Sequence, residues 1–219
     1  MLVLQNVSKR YPLQHGHRTV LDAVNLTVSR GERIGILGRN GSGKSTLIRL
    51  ISGAELPTSG RVYRGMRVSW PLAFSGGFQS HLTGMDNLRF ICRIYDTPFE
   101  DKIDYVQDFS ELGLYMREQV RFYSSGMRAR LAFALSMVID FDCYLIDEVI
   151  AVGDSRFHEK CQKELFEKRG HKSMIIVSHS PEFIAHHCQD TAVIVKGKLR
   201  SFHNVQDGFA YYNEHSAEQ

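Results

Sequence analysis

The apolar positions of the chain repeat with two periods, one typical of strands and one typical of helices. Residues 24–28 alternate apolar and polar side chains, which predicts a strand with one buried face. Residues 33–37, 144–146, 174–177 and 192–195 form short, nearly continuous apolar runs. Such runs are typical of strands that are covered on both faces, as in a parallel sheet. The pattern therefore predicts a buried, mainly parallel sheet.

A helical period dominates the middle of the chain. Between residues 87 and 95 the apolar side chains fall at i, i+3, i+4 and i+7, which predicts one face of an amphipathic helix. A second helix is predicted over about 99–112, ended by Gly113, and a third over 125–139. Together these helices predict a helical subdomain, at about residues 83–139, that interrupts the alternation of strands and helices.

One more helix follows the apolar run at 33–37. It is predicted to begin at Ser45 and to end at Gly53, because glycine readily adopts the left-handed conformation that stops a helix. Strands and helices thus alternate on both sides of the helical subdomain. We therefore predict an α/β fold in a single domain, residues 1–219, with the helical subdomain inserted in it.

Composition and charge narrow the class of protein. The net charge is +3, from 27 Lys and Arg against 24 Asp and Glu, and this is too mild to indicate a nucleic-acid partner. No apolar stretch approaches the ~20 residues of a membrane-spanning helix, and no secretory signal is recognisable. The four cysteines are widely spaced, which favours reduced thiols over a disulfide framework or a zinc site. We expect a chain that stays in the cytosol and needs a partner for any work at a membrane.

A glycine-rich segment follows the predicted strand at 33–37 and opens the next helix. It matches GxxxxGK[ST], the pattern of a phosphate-binding loop, in the strand–loop–helix context that the pattern requires. Glycines let successive backbone N–H groups point at phosphate oxygens, and the helix N-terminus adds partial positive charge. Lys44 is expected to reach the β- and γ-phosphates and to act in catalysis, and Ser45 to bind Mg²⁺. The expected nucleotide-binding residues of the loop are Gly38, Arg39, Asn40, Gly41, Ser42, Gly43, Lys44, Ser45 and Thr46.

Two adjacent carboxylates follow the apolar run at 144–146. Asp147, at the tip of the predicted strand, can hold Mg²⁺ directly or through water. Glu148 can act as the general base that polarises an attacking water. A phosphate-binding loop still leaves several classes open, among them kinases, GTPases, helicases and transporter motors.

The segment that selects among these classes lies just before the third predicted helix. Ser124, Ser125 and Gly126 resemble the signature motif of the ABC ATPases, usually written LSGGQ. Ser124 and Gly126 match the motif, whereas Ser125 and Met127 depart from its usual glycine and glutamine. The order and spacing, between the phosphate-binding loop and Asp147, also match the family. The resemblance covers essentially the whole chain and implies a P-loop NTPase core with an N-terminal antiparallel β part.

The resemblance to ABC ATPases implies ATP and Mg²⁺ as cofactors and gives roles to further residues. His179 corresponds to the switch histidine that contacts the γ-phosphate, and is expected to be catalytic with Glu148. Tyr11 corresponds to the aromatic residue that stacks on adenine. Asp154 lies in the D-loop, which crosses to the partner ATPase. Gln79 is the candidate for the metal-binding glutamine of the Q-loop, although the usual family spacing to the next motif is longer.

A dimer follows from the same resemblance. Two copies would face head to tail, so that each ATP lies between Lys44 of one copy and the Ser124, Ser125 and Gly126 segment of the other. The expected partners are therefore a second copy of the chain and the integral-membrane permease subunits of an exporter. The expected location is peripheral, at the cytoplasmic face of the inner membrane.

Several segments point to a subfamily. Residues 147–154, the Gly-Gly-Phe loop at 76–78 and residues 177–180 resemble ATPases that export cell-surface polysaccharides. Residues 70–71 and 90–95 make the chain most similar to the capsular polysaccharide exporters of Gram-negative bacteria. This resemblance implies a subunit of the polysaccharide export machinery that hydrolyses ATP to move capsular polysaccharide across the inner membrane.

Three alternatives remain. An ATPase of a teichoic-acid or O-antigen exporter would use identical chemistry on a different glycan. A non-transport ABC protein acting on DNA or ribosomes usually carries tandem cassettes or long coiled coils, and the sequence shows neither. A nucleotide kinase would explain the phosphate-binding loop but would leave Ser124, Gly126 and His179 without a role.

Overall fold

The chain forms two compact units, and the computed structural model describes residues 1–72, 79–147, 154–178 and 180–215. Within these ranges the first unit contains residues 1–71, 141–147, 171–178 and 180–215, and the second contains residues 72, 79–140 and 154–170. The strands, all in the first unit, are β1 (Leu2–Pro12), β2 (His17–Val28), β3 (Arg33–Leu37), β4 (Ser59–Arg64), β5 (Val68–Pro71), β6 (Cys143–Asp147), β7 (Ser173–Val177), β8 (Asp190–Val195) and β9 (Lys198–Phe202). The helices are α1 (Lys44–Ser52), α2 (Gly84–Ile94), α3 (Glu100–Ser110), α4 (Ser125–Val138), α5 (Ser155–Gln162), α6 (Pro181–His187) and α7 (Val205–His215).

The larger sheet of the first unit has the strand order β5-β6-β7-β3-β8-β9. Its neighbouring strands are parallel except for β8 and β9, which pair antiparallel. Every residue of β7 is buried, and so are four of the five in β3 and in β6, which explains why the sequence shows continuous apolar runs there. The prediction of a mainly parallel sheet is confirmed. Because β3 and β6 both run parallel to β7, the segments that follow them leave the same edge of the sheet.

The smaller sheet is antiparallel, with the order β2-β1-β4. Leu2 pairs with Val28 and Leu4 with Leu26, and all four side chains are buried. The N-terminal antiparallel part implied by the resemblance is therefore confirmed. One hydrophobic cluster joins this buried face to helix α1 and to strands of the larger sheet. That packing fixes the strand β1, the loop after β3 and the helix α1 against one another.

Helix α1 is flanked by a glycine at each end. Gly43 precedes it with a φ of 109°, and Gly53 follows it with a φ of 85°. Both angles lie in the left-handed region, which glycine adopts without the steric cost of a Cβ atom. The predicted stop at Gly53 is confirmed, and the helix starts at Lys44, one residue before its predicted start.

The second unit contains the helices α2 to α5. The Thr83 hydroxyl accepts a hydrogen bond from the Asp86 amide at 3.0 Å and so caps α2, which starts three residues before the predicted helical face. Helix α4 is buried along its whole second half, and it packs on α2 and α3. Helix α5 continues into a single π turn over Lys163–Glu167.

The end of α3 corrects one prediction. The sequence pattern extended this helix to residue 112 and assigned its stop to Gly113. The helix instead ends at Ser110, and Glu111 adopts the left-handed conformation with a φ of 56°. The Glu111 carboxylate lies 3.1 Å from Arg130 and 2.9 Å from Lys160, and these ion pairs hold the residue in place. Gly113, with a φ of 52°, opens a short 3₁₀ turn instead.

The described part of the chain offers no helix with the length and apolar character needed to span a bilayer. All four cysteines are buried and unbonded to one another.

Candidate functional site

The loop between β3 and α1 has the backbone of a phosphate cradle. Gly41 and Gly43 have φ angles of 81° and 109°, and the Ser42 amide donates to the Arg39 carbonyl at 3.1 Å. A Cβ atom on Gly43 would lie 3.0 Å from a Leu21 methyl group and 3.1 Å from Val20. Glycine is therefore favoured at both positions by the backbone angle, and at Gly43 also by the close approach of strand β2.

Lys44 is held inside this loop. Its Nζ donates to the Gly38 carbonyl at 2.5 Å and to the Arg39 carbonyl at 3.0 Å, and the residue is 8% exposed. Burial lowers the pKa of Lys44, while the carboxylate of Asp147 acts in the opposite direction. The ammonium group thus lies on the inner side of the cradle, where a phosphate anion would offset the cost of its burial.

The residues present fit a nucleotide with its metal ion. The Ser42 Oγ is buried and has no hydrogen-bond partner among the described residues, as expected for a group at a ligand site. The Ser45 residue, at the start of α1, is exposed. Asp147, at the end of β6, lines the same cleft. A hydroxyl and a carboxylate are the oxygen ligands that Mg²⁺ prefers.

A cleft of about 460 Å³ gathers most of the predicted residues of the first unit. Leu13, Arg18 and Val20 belong to this cleft although sequence reasoning did not predict them. Tyr11 pairs directly with Arg18 across the β1–β2 hairpin, so recognising that hairpin would have found Arg18. The full lining is Tyr11, Leu13, Arg18, Val20, Asn40, Gly41, Gly43, Lys44, Ser45, Thr46 and Asp147.

The hydroxyl of Tyr11 is held by two hydrogen bonds. It donates to Glu55 Oε2 at 2.8 Å and accepts from the Arg49 guanidinium at 3.1 Å. The Lys9 ammonium lies 5.2 Å from the centre of the Tyr11 ring. Burial by itself would raise the pKa of Glu55, but hydrogen bonds from Lys9, Tyr11 and Arg49 outweigh it and lower the pKa to about 2. The carboxylate is therefore ionised at neutral pH and keeps the ring in one place.

Ser124, Ser125 and Gly126 lie in the second unit, at the start of α4. The Ser124 hydroxyl accepts from the Met127 amide at 3.2 Å and caps the helix. Ser124 and Ser125 are exposed, and Gly126 is half-buried. The segment thus presents hydroxyls and the free N–H groups of a helix N-terminus, a combination that suits an anion.

Asp154 occupies a similar position at the start of α5. Its carboxylate accepts from the Phe157 amide at 2.9 Å and lies 2.7 Å from the guanidinium of Arg130. The backbone hydrogen bond from Phe157, more than the nearby Arg130, holds the pKa of Asp154 below its ordinary value. The residue is exposed, as a contact with another subunit would require.

The remaining predicted residues are only partly described. The Gln79 backbone exchanges hydrogen bonds with the Asn87 side chain, at 3.0 Å to its oxygen and 3.2 Å from its nitrogen, and the residue is exposed. These bonds anchor Gln79 to helix α2 through the backbone. Glu148 and His179 lie outside the described residues, as does the 76–78 loop.

Comparison with known proteins gives consistent matches. The model of the family described as "ABC transporter" matches residues 21–151. The chain is 58% identical to the ATP-binding protein BexA of Haemophilus influenzae, over 98% of the chain and 99% of BexA. It is 57% identical to the capsule polysaccharide export ATP-binding protein CtrD of Neisseria meningitidis serogroup B, over 97% of the chain and 99% of CtrD.

The fold also matches solved structures. A dimeric structure of the ATP-binding cassette MJ0796, in a post-hydrolysis state bound to ADP and phosphate, superposes with a TM-score of 0.78. The match covers 93% of this chain and 98% of that one, at 21% sequence identity. At that identity the similarity establishes the fold.

Proposed function

The chain belongs to the ABC transporter family, and on this premise we propose that it is the ATP-hydrolysing subunit of an exporter that moves capsular polysaccharide across the inner membrane. The observation that carries the ATP-binding part is the single cleft shared by Tyr11, the Gly38–Thr46 loop and Asp147. The lining of this cleft includes an aromatic ring, a buried cation and a carboxylate. A nucleoside triphosphate with a metal ion has matching groups.

The loop residues would hold the phosphates. Backbone N–H groups of the loop and the Lys44 ammonium offer positive charge to the β- and γ-phosphates. Ser45 and Asp147 would be ligands of Mg²⁺, with Gln79 as a weaker candidate. The metal ion would supply charge neutralisation on the phosphate oxygens.

Hydrolysis itself is assigned through the resemblance to the family. Glu148 would take a proton from the attacking water, and His179 would contact the γ-phosphate. Asp147 is the last residue of strand β6 and Glu148 comes next in the sequence, while His179 follows Ser178 in the sequence after β7. Both strands end at the same edge of the sheet as β3, which leads into the phosphate-binding loop. That common edge supports the assignment.

We further propose that two copies share their ATP sites. Ser124, Ser125 and Gly126 would serve the ATP bound by the other copy, with Asp154 in the D-loop between them. Two features support this: the exposed helix N-terminus at Ser124, and the dimeric form of the MJ0796 cassette, which has the same fold. ATP would then hold the two copies together and its hydrolysis would release them, which couples the reaction to movement.

The membrane partner is proposed to be a permease that docks on the second unit. Leu114, Tyr115 and Phe122 are 86%, 56% and 65% exposed, an unusual exposure for large apolar side chains. Such residues are typical anchors of protein interfaces. A permease bound there would place the chain at the cytoplasmic face of the inner membrane, as a peripheral subunit of the polysaccharide export machinery.

The identity of the cargo is the most specific part of the proposal. CtrD, named for capsule polysaccharide export, matches 97% of the chain at 57% identity. This favours capsule over the alternatives of teichoic acid and O-antigen, and a non-transport role is less consistent still. The mild net charge of +3 also gives no support for a nucleic-acid partner.

The proposal is tested in the capsule-forming host that carries Glu148→Gln. This variant keeps the carboxylate of Asp147 but lacks the base, so ATP should bind and hardly turn over. Surface polysaccharide should be lost while polymer accumulates inside, as shown by immunostaining of intact and permeabilised cells. Glu182→Gln, an exposed residue on α6, serves as the matched control and should leave capsule unchanged. Normal surface capsule in the Glu148→Gln strain would overturn the polysaccharide assignment.

A further inference from the structure

One guanidinium contacts two residues that line the cleft. Arg49, on the last turn of α1, donates from Nη2 to the Tyr11 hydroxyl at 3.1 Å and to Thr46 Oγ1 at 3.2 Å. Tyr11 and Thr46 both line the cleft, and Thr46 belongs to the phosphate-binding loop. Arg49 itself is not part of the lining. Arg49 therefore connects two residues of the cleft lining without lining the cleft itself.

A carboxylate completes this connection. Glu55 accepts from the Tyr11 hydroxyl at 2.8 Å, from Arg49 Nε at 3.1 Å and from Lys9 at 2.9 Å. Its side chain is 22% exposed. Three donors on one carboxylate form a network, and networks of charge-assisted hydrogen bonds fix geometry better than isolated surface pairs. Tyr11 lies far from Arg49 and Glu55 in the sequence and meets them only through the fold.

The network occupies the single proton of the Tyr11 hydroxyl and one of its acceptor positions. The hydroxyl donates its one proton to Glu55 and accepts from Arg49, so it has no proton left to offer a base edge. The Lys9 ammonium lies 5.2 Å from the ring centre, on one side of the ring. What remains for a ligand is the apolar ring surface. Ring stacking suits any base, because every base has a π-face.

We propose that Arg49 and Glu55 are positioning residues for the base, which hold the Tyr11 ring at a set distance from the phosphate-binding loop so that it binds the base of the nucleotide by stacking. The proposal rests on the proposed ATP-binding function. It assigns to Arg49 and Glu55 a role that acts through Tyr11, without contact with the nucleotide. The base would contribute to affinity only while the ring is held.

This proposal predicts a selective defect. Glu55→Gln removes the charge that holds the Tyr11 hydroxyl, and Arg49→Gln removes the connection to Thr46. Each should weaken ATP binding about fivefold to tenfold, since part of the contribution of base stacking would be lost. Binding of inorganic tripolyphosphate, which has no base, should stay within twofold of the wild type. In steady-state hydrolysis KM should rise while kcat stays unchanged.

The experiment measures both ligands by calorimetry, with Mg²⁺, on the wild type, the two variants and the Tyr11→Phe variant. Tyr11→Phe keeps the ring but removes the anchored hydroxyl, so it should reproduce the selective loss, and combining it with Glu55→Gln should add little. Glu182→Gln is the control for loss of a surface carboxylate. Equal losses for ATP and tripolyphosphate, or no loss for either, would overturn the positioning role. A wild-type chain that does not bind ATP would instead overturn the proposed function on which this role rests.

Discussion

The guanidinium of Arg130 lies 2.7 Å from the carboxylate of Asp154, the residue that caps helix α5. Arg130 belongs to α4, the helix that starts at the Ser124 cap. The same guanidinium also lies 3.1 Å from Glu111, whose left-handed backbone ends α3. One side chain of α4 thus ties together the end of α3 and the start of α5, and the start of α5 carries a proposed contact with another copy.

The first prediction concerns this guanidinium. Arg130→Met keeps a long side chain but removes both ion pairs, together with the guanidinium that lies 4.7 Å from the centre of the Phe157 ring. Glu111 would then hold its left-handed conformation without Arg130, so the urea midpoint of unfolding should fall measurably. ATP-dependent dimerisation should fall further, because Asp154 loses the group that orients its carboxylate.

The control for this change is Arg156→Met, an exposed arginine on α5. It should leave both the urea midpoint and dimerisation by light scattering near the wild-type values. Equal behaviour of the two variants would show that the Arg130 ion pairs contribute nothing beyond ordinary surface charge.

The second prediction concerns Gly43. Gly43→Ala places a Cβ atom 3.0 Å from Leu21 and 3.1 Å from the Val20 carbonyl, at a backbone φ of 109°. The left-handed strain costs ~1–2 kcal/mol and the contacts add to it, so the loop should shift and ATP affinity should fall at least tenfold. Isothermal calorimetry and thermal unfolding measure the two effects.

Gly16→Ala separates strain from crowding. Gly16 has a φ of 95° in the β1–β2 turn, and a Cβ atom there would meet nothing within 4 Å. This variant should lose only the stability that the left-handed backbone strain costs, and it should keep its ATP affinity. If Gly43→Ala bound ATP as well as Gly16→Ala, the close approach of β2 would not shape the loop.

The third prediction concerns the shared site. A mixed dimer carries Lys44→Ala in one copy and Ser124→Arg in the other. If each ATP lies between Lys44 of one copy and Ser124 of the other, both changes fall in one site and the second site stays intact. Equilibrium dialysis should then find one ATP per mixed dimer.

The control for this mixed dimer is a second dimer in which one copy carries both substitutions. With both substitutions in one copy and none in the other, a shared arrangement damages both sites, and binding should be nearly lost. One intact site in this second dimer, and none in the first, would show that each copy binds ATP alone.

The sequence predicted the elements whose causes are local. Local backbone angles account for the glycines at 38, 41, 43 and 53, and periodicity over a few residues accounts for the buried strands. The Ser124 cap, next to the predicted start of helix α4, is local as well. The end of α3 was predicted wrongly, because Glu111 is held by Arg130 and Lys160, far along the chain. A local pattern gives no sign of such partners.

The same reason separates the predicted from the missed parts of the candidate site. Tyr11, Lys44 and Asp147 were predicted from motifs, and the structure gathers them in one cleft. Arg18 was missed because it enters the cleft through strand pairing with Tyr11. Arg49 and Glu55 were missed because they act behind the lining, through hydrogen bonds that only the folded chain forms.

The last prediction concerns acid stability. Burial, together with the charges of His186 and Arg33, lowers the pKa of His187 from 6.5 to about 4. The folded state therefore resists protonation, whereas the unfolded chain takes up a proton near pH 6.5. Stability from the neutral His187 is complete above pH 6.5 and is lost progressively as the pH falls towards 4.

His187→Phe, which keeps a ring beside Phe183, should flatten the decline of the urea midpoint between pH 6.5 and 4. His203→Phe, at a fully exposed histidine, should leave the decline as it is in the wild type. A decline of the same slope in the His187→Phe variant would show that other groups cause the acid sensitivity.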